Sequence, residues 1–423
     1  CVGVGASASV ILGNGASGGA LNNTSLTSAT LARSATAGTV TISASATRSY
    51  DANATATAGG GVFSDKDEKK NDKTGGTSTS ADSLDKTKGS QRDKDGKSSS
   101  GSKVTIAAAA GVAAAQDVVS ARLEGVTINA SGAVSVTASN TVGMTASGIG
   151  VAKDPGSKVG IGVGVGLAIL NNTTTANIAN GAVITTNAAG LTLSATSREN
   201  ADGPYRSKLS ALGIAGASGK QVAVAGAMAV AISTGTTEAK IGNNVTVTNG
   251  GAMSVAVDNE SHLSAKALAG SVSTSGVGIG ASIAVVVSQK DYEASVGTGS
   301  SLTGSALSVT AMNSKIDAAP DFDRKELDDL EAFGDTLKDL ATGKLLGDSN
   351  YYVEAVGAAG GSSVAVQGSI AVMVFSDNLS AKVGANSTVN VGSGAVTLNA
   401  GGDFVAKSLS GALSVSTSSV ALG

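Results

Sequence analysis

The one histidine of this 423-residue chain lies in Glu260-Ser-His262-Leu, with a carboxylate and a hydroxyl beside it. Imidazole is the side chain best suited to moving a proton near neutral pH. General-base work also needs a nucleophile within hydrogen-bond reach and a third group to orient the ring. No nucleophile motif surrounds His262, and the equivalent place in another repeat holds Ser207. His262 is therefore expected to be a solvated strand-edge residue.

Other clusters are weighed the same way. Gly160, Gly162, Gly164 and Gly166 alternate at the wrong spacing for a phosphate-cradling GxGxxG turn, so they are expected to form a strand face made of glycine. The acidic residues between Asp317 and Asp329 lack the glycine and terminal glutamate of an EF-hand loop, and the chain has no GGxGxD calcium repeat. They read as the solvated face of a helix. Thr173-Thr-Thr175, Thr185-Thr186 and Thr236-Thr237 suggest a flat hydroxyl surface that could order ice or hold a glycan, though not every repeat keeps one. The Asn-x-Ser/Thr triplets at Asn129, Asn172, Asn244 and Asn386 are expected by chance in so Asn-, Ser- and Thr-rich a chain. A lone Cys1 and a lone His262 leave nothing for a Cys/His metal cage or a disulfide. No catalytic, cofactor-binding or metal-ligating residue is assigned, and the chain does not read as an enzyme.

The composition fits that reading. There are 58 Gly, 3 Pro, no Trp and only 10 Phe plus Tyr, yet 41% of residues are apolar, mostly Ala and Val. Small and β-branched residues suit thin, close-packed sheets. The 29 Lys plus Arg nearly balance 32 Asp plus Glu, which argues against nucleic acid as a partner. No run of 18 apolar residues is long enough to span a bilayer. Half of the charge is concentrated in two stretches: 64–102 holds 8 acidic and 9 basic side chains, and 316–349 holds 10 acidic and 4 basic. The remaining body is poor in charge.

That body repeats. An apolar run opens at Val2, Val104, Val159, Val222, Val277 and Val364, and begins again at Val420. Three of the six spacings are 55 or 56 residues; the longer ones contain the charged stretches or a short insertion near Asp202-Gly-Pro-Tyr-Arg206. Seventeen residues after five of these valines comes Ala-x-Leu/Ile/Val, at Ala121, Ala176, Ala239, Ala294 and Ala381. A third element follows, as in GAVSVTA from Gly132, GLTLSAT from Gly190 and GAMSVAV from Gly251. The first repeat lacks a clean Ala-x-Ile at the expected place, and length variation is expected only after the third element.

Fixed spacing of this kind predicts an all-β chain, a parallel β-solenoid of ~55-residue repeats, because a one-residue slip would turn every side chain to the wrong face. Repeat 1 covers 1–63, followed by a disordered charged insertion over 64–102. Repeats 2, 3 and 4 cover 103–157, 158–220 and 221–275. Repeat 5 covers 276–362 with a helical insertion at 316–349, repeat 6 covers 363–418, and 419–423 start a seventh. Alternation in VTISASA, AVSVTAS and LTLSATS predicts half-buried strands, whereas VGIGVGVGLAIL, apolar throughout, predicts a strand covered on both sides. About four strands per repeat are expected. The Ala-rich run from Ile106 reads as helix alone, but its equivalents alternate Val with Gly, so strand is expected. One helix is predicted over 321–341, with Asp321 as cap and Leu327, Leu330, Leu337 and Leu340 on one side.

Two further expectations concern the ends and the family. Neither end carries the polar cap that a free solenoid needs, so the chain is expected to be a piece of a longer array. Cys1 as a lipidated first residue is the lesser reading, since no polar tether separates it from the first strand. The run VGIGASIAVVV from Val277, with Ala294-Ser-Val-Gly297 and Ala306-Leu-Ser-Val-Thr-Ala311, resembles the repeat regions of very large bacterial secreted adhesins, the filamentous-haemagglutinin and leukotoxin-type filamentous adhesins. The stretch from Ala176-Asn-Ile-Ala-Asn-Gly-Ala-Val-Ile184 through Gly190-Leu-Thr-Leu-Ser-Ala195 carries the resemblance best. It implies an extracellular, cell-surface β-solenoid that acts as stalk or filament in adhesion. A subunit that stacks end to end into a structural filament is the alternative, and a β-helical polysaccharide lyase a remote third. The partners expected are other units of the same array, or identical chains, meeting through uncapped sheet edges; any glycan or protein ligand is left open.

Overall fold

The computed structural model describes residues 2–12, 24–59, 104–154, 156–187, 189–199, 209–314, 350–417 and 420–423. Cys1, the insertion 64–102, the acidic cluster 317–329 and the helix predicted over 321–341 lie outside them. The described residues form 24 strands and no helix.

The first turn of the chain contains β1 (Val2–Leu12), β2 (Thr24–Leu31), β3 (Ala35–Ala37) and β4 (Val40–Ala58). The second contains β5 (Val104–Leu123), β6 (Thr127–Ala130) and β7 (Val134–Lys153), and the third β8 (Val159–Ile178), β9 (Val183–Thr186), β10 (Leu191–Arg198) and β11 (Leu209–Gly219). The fourth has β12 (Val222–Ile241), β13 (Thr246–Thr248), β14 (Ala252–Glu260) and β15 (Leu263–Ser273). The fifth has β16 (Val277–Val296), β17 (Ser301–Thr303), β18 (Ala306–Ser314) and β19 (Tyr351–Gly361). The sixth has β20 (Val364–Val383), β21 (Thr388–Asn390), β22 (Val396–Gly402) and β23 (Ala406–Ser416), and β24 (Val420–Leu422) opens a seventh.

Every strand pairs in parallel with its counterpart in the next turn. The long strands stack β1-β5-β8-β12-β16-β20-β24, and the short corner strands β3-β6-β9-β13-β17-β21. The return strands form a third sheet, in which β7 joins the β10-β14-β18-β22 ladder to the β11-β15-β19-β23 ladder. Each repeat is therefore one wide coil of a parallel β-solenoid. Val104, Val159, Val222, Val277 and Val364 occupy one rung, and Ala121, Ala176, Ala239, Ala294 and Ala381 another. Val2 and Val420 join the valine rung.

Two sequence expectations need correcting here. In the first coil the Ala-x-Leu element is present as Ala29-Thr-Leu31, paired with Ala121-Arg-Leu123. It lies ten residues late because the β1 pairing ends at Leu12–Ala114 and the β2 pairing begins at Thr24–Gln116, so the first coil has eleven residues between them in the sequence and the second has one. Length variation therefore also falls between two stretches of the long-strand layer, and both stretches keep their register with β5. The Ala-x-Ile element itself is no separate strand. It is the tail of a continuous 20-residue strand in five of the coils.

Each coil has a wide half and a narrow half. In the wide half, the tail of the long strand, the corner strand and the first return strand close a three-sided core of Leu123, Ile128, Val134, Ile178, Ile184, Leu191, Ile241, Val255, Leu302 and their neighbours. In the narrow half, the first part of the long strand lies flat on the last return strand, and the core between them is mostly alanine, with larger residues such as Met144, Leu170, Leu209 and Tyr351 among them. Glycines allow the approach: a Cβ added at Gly164 would sit 2.5 Å from the Gly148 carbonyl oxygen and nearer still to that of Ile214. No side chain fits there.

The side of the long strand that faces inward is the small one. Gly160, Gly162, Gly164 and Gly166 are buried, whereas Val159, Ile161, Val165 and Leu167 are half-buried and Val163 is exposed. The two-sided cover expected for VGIGVGVGLAIL is therefore half wrong. Its glycine face meets another backbone, and its aliphatic face looks outward.

Candidate functional site

Polar side chains enter the interior where the narrow and wide halves meet. The rung thirteen residues after each valine anchor holds Asp117, Asn172, Gly235, Lys290 and Asp377 in adjacent strands. Odd offsets from the valine point inward, so this rung faces the return sheet, where Asn140, Ser197, Asn259 and Asn313 stack opposite it. Together they make a hydrogen-bonded seam running along the solenoid axis.

At one end, Asp117 accepts a hydrogen bond from the Tyr50 hydroxyl at 2.8 Å and lies 3.8 Å from the Arg48 guanidinium. Burial pushes the Asp117 carboxyl above its usual range, although Tyr50 and Arg48 pull it down. The Tyr50 hydroxyl is raised by burial first and then by its bond to Asp117. Arg48 also donates to Asn140 at 3.4 Å, Asn140 to Asn172 at 2.6 Å, and Asn172 to Ser197 at 2.9 Å.

In the middle of the seam, Glu199 and Lys290 form an ion pair whose side chains are 0% and 6% exposed. Ser233 donates to Glu199 at 2.6 Å, the His262 backbone N–H donates to it at 3.1 Å, and the Lys290 ammonium also reaches Ser261 Oγ at 3.1 Å. The Tyr292 hydroxyl is 3.1 Å from Ser261 Oγ and 3.0 Å from the Asn259 amide. Its ionisation is driven well up by burial, and then by the charges of Asp377 and Glu199 and by Tyr351. One coil further, Asp377 accepts from Ser288 at 2.8 Å, from the Lys290 backbone N–H at 3.1 Å and from the Tyr351 hydroxyl at 2.6 Å. Gly235 (φ 142°) is the rung's one residue without a side chain, and a Cβ there would run into the Asn172 backbone.

The carboxylates of the seam are paired with Arg48 or Lys290 or held by hydroxyl donors, which fixes their geometry. A second buried pair lies on the opposite side of the return sheet: Lys266 and Glu354 are 3.5 Å apart, with the Lys266 ammonium 5.0 Å from the centre of the Tyr352 ring. The Tyr352 hydroxyl donates to Glu354.

His262, expected in solvent, is buried at the junction of β14 and β15, its backbone tied to Glu199 and to the amide of Leu209. The reason is its place beside the seam, where the return sheet turns from the wide half to the narrow. Ser207, the residue set equivalent to His262 in another repeat, lies outside the described residues. Neighbours on a strand point to opposite faces, so only alternate members of the threonine runs look outward: Thr174, Thr186 and Thr237 are buried, whereas Thr173, Thr175 and Thr236 are half-buried. Of the Asn-x-Ser/Thr triplets, Asn172 is inside the seam. Asn244 and Asn386 take left-handed backbone (φ 54° and 58°) at the first corner, in a column with Gly181 and Gly299. Asn129 sits on the corner strand beside a shallow depression lined by Thr36, Thr185 and Asn187. The seam could be found from the sequence only by noticing that polar residues recur at one odd offset from the valine anchor.

Two surfaces remain open. The outward face of the long strands is aliphatic over the narrow half and polar over the wide half. The last coil also exposes residues that point inward: Val396 and Leu398, in register with buried Leu307 and Val309, are 48% and 47% exposed. Among the described residues, no three His, Cys, Asp or Glu side chains converge to hold a metal, and no helix is long and apolar enough to cross a membrane. Comparison with protein-family models, with curated proteins and with solved structures gave no match to this chain.

Proposed function

We propose that this chain is a stretch of a long, secreted, cell-surface β-solenoid that serves as a stiff stalk in adhesion. The observation that carries this reading is the unbroken parallel register. Five 20-residue strands stack residue for residue, and each added repeat of the later coils adds one strand to the long-strand sheet, one to the corner sheet and two to the return sheet. Such an array grows by ~4.8 Å per coil and stiffens along its axis. The charged seam supports the same role, since it runs through successive coils and penalises any slip of one past another.

The test is to display arrays with different coil numbers on cells that carry no other adhesin. Attachment should depend on length and tolerate exchange of one coil for another, and scattering should give a maximum dimension that grows by ~4.8 Å per coil. Attachment indifferent to shortening down to two coils would overturn the stalk. The parallel register, in which one coil continues the sheets of another, also fits a second reading, a subunit that stacks end to end. Long filaments of the purified chain in electron micrographs, abolished by Leu398→Lys, would support that reading.

A further inference from the structure

The outward face of the narrow half has six rungs, at offsets 0, 2, 4, 6, 8 and 10 from the valine anchor. Across the six complete coils, every residue on them is Val, Ile, Leu, Met, Ala or Gly. Central members are open: Val163 is 37% exposed, Met228 38%, Ile283 39% and Ile370 55%. Ten residue steps by five strand spacings measure about 33 Å by about 24 Å, on the order of 800 Å². Exposed apolar patches on monomeric proteins rarely exceed ~300–600 Å². A standard specific interface takes ~800 Å² from each partner.

The relief of the face points to one occupant. The third rung is Ala6, Ala108, Val163, Gly226, Ala281 and Gly368, a furrow in its later coils; nothing lies within 4 Å of a Cβ added at Gly226 or Gly368. The next rung carries Met228, Ile283 and Ile370, a ridge beside the furrow. We propose that two copies of this chain associate laterally, aliphatic face on aliphatic face, about a two-fold axis parallel to the solenoid axis and midway between these rungs. That operation places the ridge of each copy in the furrow of the other and closes the interface. The polar rung Gln116, Asn171, Thr234, Gln289 and Ser376 borders the face, so the contact stops where the wide half begins. The inference does not depend on the adhesive role, and lateral pairing differs from stacking through coil ends.

The experiment is sedimentation equilibrium of the full 423-residue chain with two single variants. Ile283→Lys buries two lysines in the dimer yet lies on an open face of the monomer. It should raise the dimer dissociation constant at least 100-fold, about 2.7 kcal/mol, with an unchanged circular-dichroism spectrum. Gln289→Lys, on the polar rim of the same strand, should change it less than threefold. Should Ile283→Lys misfold, Val230→Lys on the adjacent coil serves in its place. In a Cys1→Ser background, mixing Ala281→Cys with Ile283→Cys chains should give a disulfide-linked heterodimer, since the furrow meets the ridge. A wild-type chain that stays monomeric to ~100 μM would overturn the proposal, whether or not it floats with phosphatidylcholine–phosphatidylglycerol vesicles. So would a dimer untouched by the lysine variants.

Discussion

At the scale of single residues, the buried Glu199–Lys290 pair is costly to disturb. A buried ion pair contributes little net stability, but removing one partner leaves an uncompensated charge and costs about 3–5 kcal/mol. Lys290→Met should lose that much in denaturant unfolding, and adding Glu199→Gln should recover most of it, because the amide oxygen can still accept the His262 N–H. A Lys290→Met variant as stable as the parent would mean that solvent reaches Glu199. Asp117 gives a pH signature. Its folded-state pKa is raised, so the native chain holds the proton more tightly than the unfolded one. This contribution to stability therefore falls as pH rises from near 4 through the raised value, then levels off. Glu293 slopes the other way: burial raises it, but the Lys382 ammonium and the Ser295 hydroxyl outweigh that and leave it lowered. Subtracting the Asp117→Asn profile from the parent's cancels Glu293 and every other shared group. The difference should favour Asp117→Asn increasingly as pH rises from about 4, until it levels off; a flat difference would contradict the raised carboxyl.

At the scale of the strand, the two faces of β8 and β12 predict opposite outcomes for one substitution. Gly164→Val drives a side chain into the backbone of β7 and β11, and overpacking of this kind costs ~1–3 kcal/mol or more. Gly226 pairs with Val163 on the outward face and has open space around it. Gly226→Val should be neutral or stabilise by up to ~1 kcal/mol through strand propensity. Both would be measured by denaturant unfolding of the same chain, with the Gly226 variant also checked for self-association. Equal effects of the two would remove the distinction between faces. The corner that follows β12 shows a related economy. Asn244 and Asn386 alternate with Gly181 and Gly299 in one left-handed column, the conformation that asparagine and glycine adopt at least cost. The Asn180 side chain accepts from the Asn243 N–H at 2.7 Å, and Asn243 from the Thr298 N–H at 2.9 Å, so each corner is tied to the next.

For the whole molecule, stability should behave as a sum over coils and their interfaces. Removing Val222–Gly276, one complete coil, brings β8 against β16 with the valine rung, the alanine rung and the polar seam all still in register. The shortened chain should fold with unchanged β content per residue. Its denaturant m value should fall by roughly a sixth, in proportion to the surface no longer buried. Loss of cooperative unfolding on this deletion would mean that one coil nucleates the rest.

Period, register and strand content follow from the spacing of valines and alanines, because a parallel stack works only if each coil repeats the inward and outward positions of the last. Ala29-Thr-Leu31 escaped notice because it follows its valine by ten residues more than in the other coils, a displacement that only the pairing with Ala121 reveals. His262 read as a surface residue because the sequence places it beside Glu260 and Ser261 and says nothing of Glu199 and Lys290, brought in from other coils. The tertiary structure alone decided which face of the long strand is inside. Hydrophobicity favours burying valine over glycine, and the chain does the reverse. Only Lys220 and Gln221 separate β11 from β12, and Ser362 and Ser363 separate β19 from β20. With so short a link the two layers must lie close together. Their inner faces then have room for little beyond glycine and alanine, and the valines are left outside.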